Sequence, residues 1–372
     1  MDTRIVPTGG ARRDDLAGEI RDEELELGVA ISAAYDDNIY LSEANEQSDF
    51  VVKLSPAFAW RKGDREESEG GYLSIAYRPT VVSYTDHSEN DRIDQVAEWE
   101  LGWRGRAISF AYSGAARQLG DATADTGTLT ERTEFANEGR IAWALRGKIS
   151  LEVAGGHTST NYDDPRYADS SMTYGEVALR YAYSPKTRLS AVYEFGQFKV
   201  QGAGDQTVHR TTARIEWQPT RKIAVDLAVG AEHRSFDDGS STTPVVEARI
   251  GWTPREGTEI YLSGYRREQA SAYLPGQNYT EGGVALGIAQ RLGGKWTGRL
   301  EGGFERAAYT RVSGTGPAGR VDKISFVRPA LEYRFTDDFS MGLFYRYSKD
   351  DSNQAGFSYT DHSAGVEMGY RF

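Results

Sequence analysis

The sequence predicts an all-β protein, a single transmembrane antiparallel up-and-down β-barrel of about 18 strands. Three observations carry that expectation. Apolar and polar residues alternate with period two, tight turns alternate with longer polar connections, and no apolar stretch is long enough for a membrane-crossing helix of about 20 residues. A mean hydropathy of −0.58 would by itself indicate a water-soluble chain. In a barrel the membrane signal hides in the alternation, because only every second residue meets lipid.

The first alternating segment sets Leu25, Leu27, Val29 and Ile31 against Glu24, Glu26, Gly28 and Ser32. The second opposes Phe50, Val52, Leu54, Phe58 and Trp60 to Lys53, Ser55 and Arg61. The clearest run gives Ile223, Val225, Leu227, Val229 and Ala231 one side and Ala224, Asp226, Ala228, Gly230, Glu232 and Arg234 the other. At the end, Ala364, Val366, Met368, Tyr370 and Phe372 oppose Ser363, Gly365, Glu367, Gly369 and Arg371. The same reading places strands near 24–36, 48–61, 70–85, 92–104, 106–117, 133–146, 148–160, 170–183, 186–201, 205–218, 221–236, 241–254, 257–272, 278–291, 294–310, 321–335, 338–350 and 359–372. A strand of about 13 residues, tilted near 45°, rises about 30 Å and crosses a hydrocarbon layer.

Tight turns are expected at Arg104–Arg106, Arg146–Lys148, Ser184–Thr187, Gln218–Arg221, Thr253–Gly257, Leu292–Lys295 and Thr336–Asp338. Longer connections fall between them, at 37–47, 86–91, 118–132, 161–169, 237–240, 273–277, 311–320 and 351–358. With an even strand number both barrel ends lie on the short-turn rim, the periplasmic side of such barrels. The longest connection, 118–132, is read as a surface excursion and not as an inward-folded loop, which leaves any gate to side chains or to the tail. Two regions follow: an N-terminal periplasmic tail over 1–23, flexible or plugging the lumen, and the barrel over 24–372. The first residues have neither a basic nor an apolar leader segment, so a leader is expected to have been removed.

The apolar face carries Trp60, Trp99, Trp103, Trp143, Trp217 and Trp252 towards strand ends, as membrane-interface aromatics. The opposite face is small or charged and needs water. Its candidate lumen-lining residues, the expected substrate path, are Arg78, Glu98, Glu100, Arg104, Arg140, Glu152, Arg180, Arg214, Glu216, Arg234, Arg249, Arg299, Glu301, Arg334 and Arg346. Guanidinium groups there can bind carboxylate or sugar oxygens, or pair laterally with neighbouring acids and brace the wall. Charges this mixed predict weak ion selectivity. Tyr261 and Tyr265 are read as wall packing, with sugar stacking as the alternative.

Composition excludes other classes. Zero Cys removes disulfide scaffolds, Cys-ligated zinc, iron–sulfur clusters and thiol catalysis. A net charge of −12 with no basic block argues against nucleic acid as a partner. The acidic pairs Asp36-Asp37, Asp163-Asp164, Asp237-Asp238 and Asp350-Asp351 are read as solvated turn-formers, with a cation bridging lipopolysaccharide phosphates as the alternative, so no metal is assigned. His157, His209, His233 and His362 fall on the outward face near the long-loop rim, where they share no catalytic partner. No catalytic residue, enzyme activity or cofactor is expected.

The opening Tyr35-Asp36-Asp37-Asn38-Ile39-Tyr40-Leu41-Ser42, then Ser48-Asp49-Phe50-Val51-Val52 and Leu54-Ser55-Pro56, resembles the start of the outer-membrane family called putative beta-barrel porin 2. The ending Gly365–Phe372 looks like the terminal strand read by outer-membrane insertion machinery, with Tyr370 and Phe372 as the insertion signal. The resemblance implies a bacterial outer-membrane channel in contact with lipid and lipopolysaccharide. It further implies a passive conduit for exopolysaccharide export, with periplasmic polysaccharide-export proteins as partners. A general diffusion porin for small solutes and a non-conducting anchor barrel are the alternatives.

Overall fold

Each strand of the computed structural model pairs antiparallel with the next in sequence, and the last pairs with the first, closing the sheet. The structure describes residues 23–63, 69–123, 125–237, 239–311 and 319–372; the expected tail over 1–22 lies outside them. The strands are β1 (Glu23–Asp36), β2 (Asp49–Lys62), β3 (Gly70–Tyr84), β4 (Arg92–Arg104), β5 (Ile108–Leu119), β6 (Arg132–Arg146), β7 (Ile149–Tyr162), β8 (Ser170–Ser184), β9 (Thr187–Val200), β10 (Gln206–Thr220), β11 (Ile223–Phe236), β12 (Gly239–Trp252), β13 (Thr258–Ala270), β14 (Gln277–Gly293), β15 (Trp296–Arg311), β16 (Val321–Arg334), β17 (Phe339–Ser352) and β18 (Tyr359–Arg371). Their number and order are those read from the alternation. The expected long connection at 237–240 shrinks to the two residues between Phe236 and Gly239.

Alternation decides which side each residue takes, and the register keeps like with like. Leu27 pairs with Phe58, Ile31 with Leu54 and with Met368, and Leu262 with Leu286, so one face of the whole wall is apolar. That face is uncovered, with Leu286 and Leu343 both 57% exposed. A contiguous apolar surface of this size is stable only against lipid. All seven Trp are outside. Six of them, Trp60, Trp103, Trp143, Trp217, Trp252 and Trp296, sit near the short-turn ends of their strands, four of them between 44% and 51% exposed. Trp99 departs from the expected girdle: it lies at mid-strand, opposite Gly114, and its indole fills the space that a Cβ there would need.

Inside, aromatic rings are laid over cross-strand glycines. Tyr72 covers Gly102, Tyr174 covers Gly156, Tyr261 covers Gly287 and Tyr265 covers Gly283. Each of these hydroxyls then donates to a wall carboxylate, Glu100 at 3.0 Å, Glu138 at 2.9 Å, Glu301 at 2.7 Å and Glu281 at 3.1 Å. One ring face is buried against backbone and the polar tip is satisfied, which is the wall-packing role. A Cβ at Gly287 would stand 2.2 Å from the Tyr261 ring. Gly287→Ala should therefore cost about 1–3 kcal/mol by displacing that ring. Gly251→Ala, where nothing lies within 4 Å, is the matched control. Thermal unfolding in detergent checks this: a midpoint lowered in the first variant and not in the second is expected, and equal midpoints would refute the clamp.

Candidate channel lumen and its roof

The inward face holds the charged residues in lateral pairs. Arg78 meets Glu98 at 2.5 Å, and Arg140 and Arg180 converge on the buried Glu152 at 2.6 and 2.8 Å. Arg214 bridges Asp226 at 3.0 Å and Glu247 at 3.1 Å, Glu216 meets Arg188 at 2.5 Å, and Arg299 meets Glu332 at 2.5 Å. Glu100 and Glu301 accept from the tyrosine clamps, and Arg328 stands 3.7 Å from Glu301. Arg346 lies over the Phe344 ring at 4.7 Å. Arg104, Arg249 and Arg334 lie nearer the short-turn rim at the lower ends of their strands. Small inward residues such as Ala30, Ser32, Ala57 and Ala76 alternate with these charges along β1 to β3. Tyr370 and Phe372 pack edge to face at 4.8 Å on the outer wall, and the Phe372 amide donates to Leu27 at 2.9 Å.

Arg234 is the departure from the expected path. It is 3% exposed, held by Glu232 and donating to the Glu268 carbonyl at 2.8 Å, and so is withdrawn from the open bore. The cause is a bend in the wall. The β12–β13 ladder stops at Val246 opposite Arg266, while β13 and β14 stay paired to Ala270 opposite Asn278. Above Arg266 the hairpin leaves β12 and folds inward. Glu268 and Asn278, which the alternation assigns to the lipid face, are instead 5% and 2% exposed. They bond to each other and to inward groups of two other strands, β12 and β10: Glu268 accepts from Thr243 at 2.6 Å and from Asn278 at 2.8 Å, and Asn278 exchanges bonds with Gln206 at 3.0 and 3.1 Å.

The tip of that hairpin meets loops from the other side of the barrel. Asp125, in the loop over 120–131, accepts from Ser271 Oγ at 2.7 Å, from the Ala272 amide at 2.7 Å, from the Tyr273 amide at 3.3 Å and from Tyr309 OH at 3.0 Å. Its own carbonyl accepts from Arg320 at 3.2 Å, and that guanidinium stacks 3.6 Å from Phe357 of the β17–β18 loop. Ala168, between β7 and β8, donates to the Ala272 carbonyl at 2.8 Å. From the β1–β2 loop, Ile39 is buried against Val51, Val82 and Tyr84, with Leu129 packed beside them. Loops nearly half the circumference apart can touch only by crossing the mouth. The expectation of a surface excursion at 118–132 is therefore corrected: this loop and the β13–β14 hairpin form a roof over the lumen, and they do so because each finds buried polar partners in the other.

None of the roof residues was marked by sequence. Asp125, Ser271, Tyr309 and Arg320 are far apart in the chain, and the Pro275-Gly276 pair signals only a turn. Of the acidic pairs, Asp36 accepts from the Asn38 amide and Asp164 from Arg166, both two residues on, whereas Asp37 accepts across the β1–β18 seam from the His362 amide and Asp350 accepts across β16–β17 from the Lys323 amide. Asp350 is 1% exposed and so is not the solvated turn-former expected, because a neighbouring strand buries it, and Asp238 lies outside the described residues. The outward histidines bond to neighbouring hydroxyls, as His209 does with Tyr193 at 2.8 Å.

Burial among these loops holds the Asp125 carboxyl above its ordinary value of 3.8. Closing the roof therefore takes up a proton between 3.8 and the raised value. That contribution to closure is complete below 3.8 and is lost as pH rises through the raised value. Conductance in planar bilayers should increase with pH, and Asp125→Asn should flatten the dependence. A wild-type profile that falls with pH contradicts this.

Beneath the roof lies a chamber of about 280 Å³ lined by Arg117, Glu134, Tyr162, Phe198, Arg267 and Glu281 among others. A second recess of about 190 Å³ runs along β6 and β8–β12 between Arg140, Arg180, Glu194, Arg210, Arg214 and Glu247. The solved structure of OpdQ from Pseudomonas aeruginosa is similar over 95% of this chain and 99% of its own, with a TM-score of 0.50 at 11% identity. OccAB4 from Acinetobacter baumannii is similar over 94% and 98%, with a TM-score of 0.49 at 10% identity. At such identity the likeness to OpdQ speaks for the fold. No curated protein matches the chain in sequence. The family model Putative beta-barrel porin 2 matches residues 226–372, from β11 to the end of the chain, outside the opening strands that carry the first resemblance. With that family match and a closed 18-stranded wall exposing its apolar face, the protein is an outer-membrane β-barrel with the architecture of a porin channel, matching the putative beta-barrel porin 2 family over residues 226–372.

Proposed function

We propose that the barrel is a passive channel for small hydrophilic solutes, which cross a roofed mouth and a chamber of mixed charge. The observation that carries this reading is the chamber of about 280 Å³ under the Asp125 roof. Its size is near the lower end of small-molecule sites, roughly 300 Å³, and its arginines and glutamates are matched, so it suits polar solutes of either charge sign. Liposome swelling with sugars of increasing size tests it. Monosaccharides should enter readily and longer oligosaccharides slowly, with potassium and chloride nearly equally permeant in bilayers. Absence of both conductance and swelling would leave only an anchor barrel.

Export of an exopolysaccharide, the role implied by the family resemblance, is the second reading. The 18-strand circumference supports it, because a barrel of that size leaves width for an extended chain. A polymer strand needs the roof to part. On this reading added polysaccharide blocks the current once Asp125→Ala has opened the mouth, and on the first reading it leaves the current unchanged.

A further inference from the structure

The outer wall carries few charges, and three cations gather in one place on it. Arg266 stands opposite Gly282, Gly282 opposite Arg306, and Arg306 opposite Lys323, so β13 to β16 set the three in a single register row. At about 4.8 Å per strand the row spans roughly 14 Å. All three are exposed and share the parity of the outward Leu262, Val284 and Phe304. The row lies one same-face step above Val284 and Phe304, at the upper margin of the apolar band and towards the long-loop rim. Gly282 gives a notch without a side chain between the two arginines.

The inward cations beside them are satisfied, as Arg267 is by Glu281 at 2.8 Å. Among the described residues, Arg266, Arg306 and Lys323 have no ion pair and no side-chain hydrogen bond. The groups around them are Val246 on β12, Thr280 on β14 and Thr310 on β15, all uncharged, and Asp351 on β17 opposite Lys323. Asp351 is taken by Lys349 at 3.0 Å, which adds a further cation to the same surface. Unpaired cations at a hydrocarbon margin need anions supplied by the membrane itself.

We propose that this row is a lipid-phosphate site, holding the phosphate groups of lipid A in the outer leaflet. Two guanidinium forks flank the Gly282 notch, so that one phosphate can be gripped from both sides, and Lys323 reaches a second. The site is on the outer wall and does not depend on what the lumen conducts.

The test is binding of purified diphosphorylated lipid A to the full chain in detergent micelles, read by native mass spectrometry. At about fivefold per surface cation, the R266Q/R306Q/K323Q variant should retain lipid A at least tenfold less well than wild type. Dephosphorylated lipid A should bind the wild type no better than the variant, and bilayer conductance should not change. R266K/R306K, which keeps charge and loses the forks, should fall between the two and serves if the neutral variant does not fold. Equal retention of both lipids by wild type, or no loss in either variant, overturns the proposal. Displacement of lipid A by millimolar inorganic phosphate also overturns it, since the row would then be a site for free phosphate.

Discussion

Replacing Asp125 by alanine is expected to raise single-channel conductance severalfold and to make the open current noisy. One carboxyl joins the β5–β6 loop to three positions of the β13–β14 hairpin tip and to Tyr309, at 2.7 to 3.3 Å. Hydrogen bonds to an uncharged carboxyl contribute about 0.5–1.5 kcal/mol each, and removing the acceptor leaves the buried donors unmet at about 1–3 kcal/mol. A loss of about 4 kcal/mol changes the closed-to-open ratio by roughly a thousandfold. The barrel wall is untouched, because every ladder from β1 to β18 closes without Asp125. Unchanged conductance with an unchanged fold would mean that the roof does not limit flow.

The second large effect belongs to Glu232, which pins the hairpin from below. It is fully buried and receives Arg210 at 2.5 Å and Arg234 at 2.5 Å. Glu232→Ala leaves two guanidinium groups without their shared anion, and breaking a buried pair in this way costs about 3–5 kcal/mol. The thermal unfolding midpoint in detergent should fall, and proteolysis between 271 and 276 should speed up as the hairpin loses its seat. Combining Glu232→Met with Arg234→Met removes one of the two orphaned guanidinium groups and leaves Arg210 to Glu194, 3.4 Å away, so it should recover part of the loss. If the double variant is no more stable than the single one, the cost lies in packing and not in uncompensated charge.

The wall was legible in sequence because a strand's two faces meet different solvents, and period two writes that difference into neighbouring residues such as Leu227 and Asp226. Strand order followed, since short connections leave little choice but neighbour pairing. The roof was not legible. Asp125 and Ser271 are 146 residues apart, and nothing local distinguishes an aspartate that will bond across the mouth from one that caps a turn. Glu268 shows the same limit from the other side: its parity points to lipid, and only the early end of the β12–β13 ladder turns it inward. Trp99 was legible as an outward residue, but its height was not, because Gly114 fixes it from a neighbouring strand.

The lumen, the roof and the outer phosphate site all follow from which side of the wall each parity class faces. The chain has no cysteine, so single cysteines can be placed at will. In proteoliposomes, Cys at Val284, Leu286 and Ile288 should carry a fluorophore quenched by nitroxides in the lipid tails, whereas Cys at Ala224 and Ala289, small inward positions that are not buried, should react with a charged water-soluble maleimide. The reverse pattern, or quenching at both sets alike, would contradict the barrel orientation and with it the lumen, the roof and the outer phosphate site.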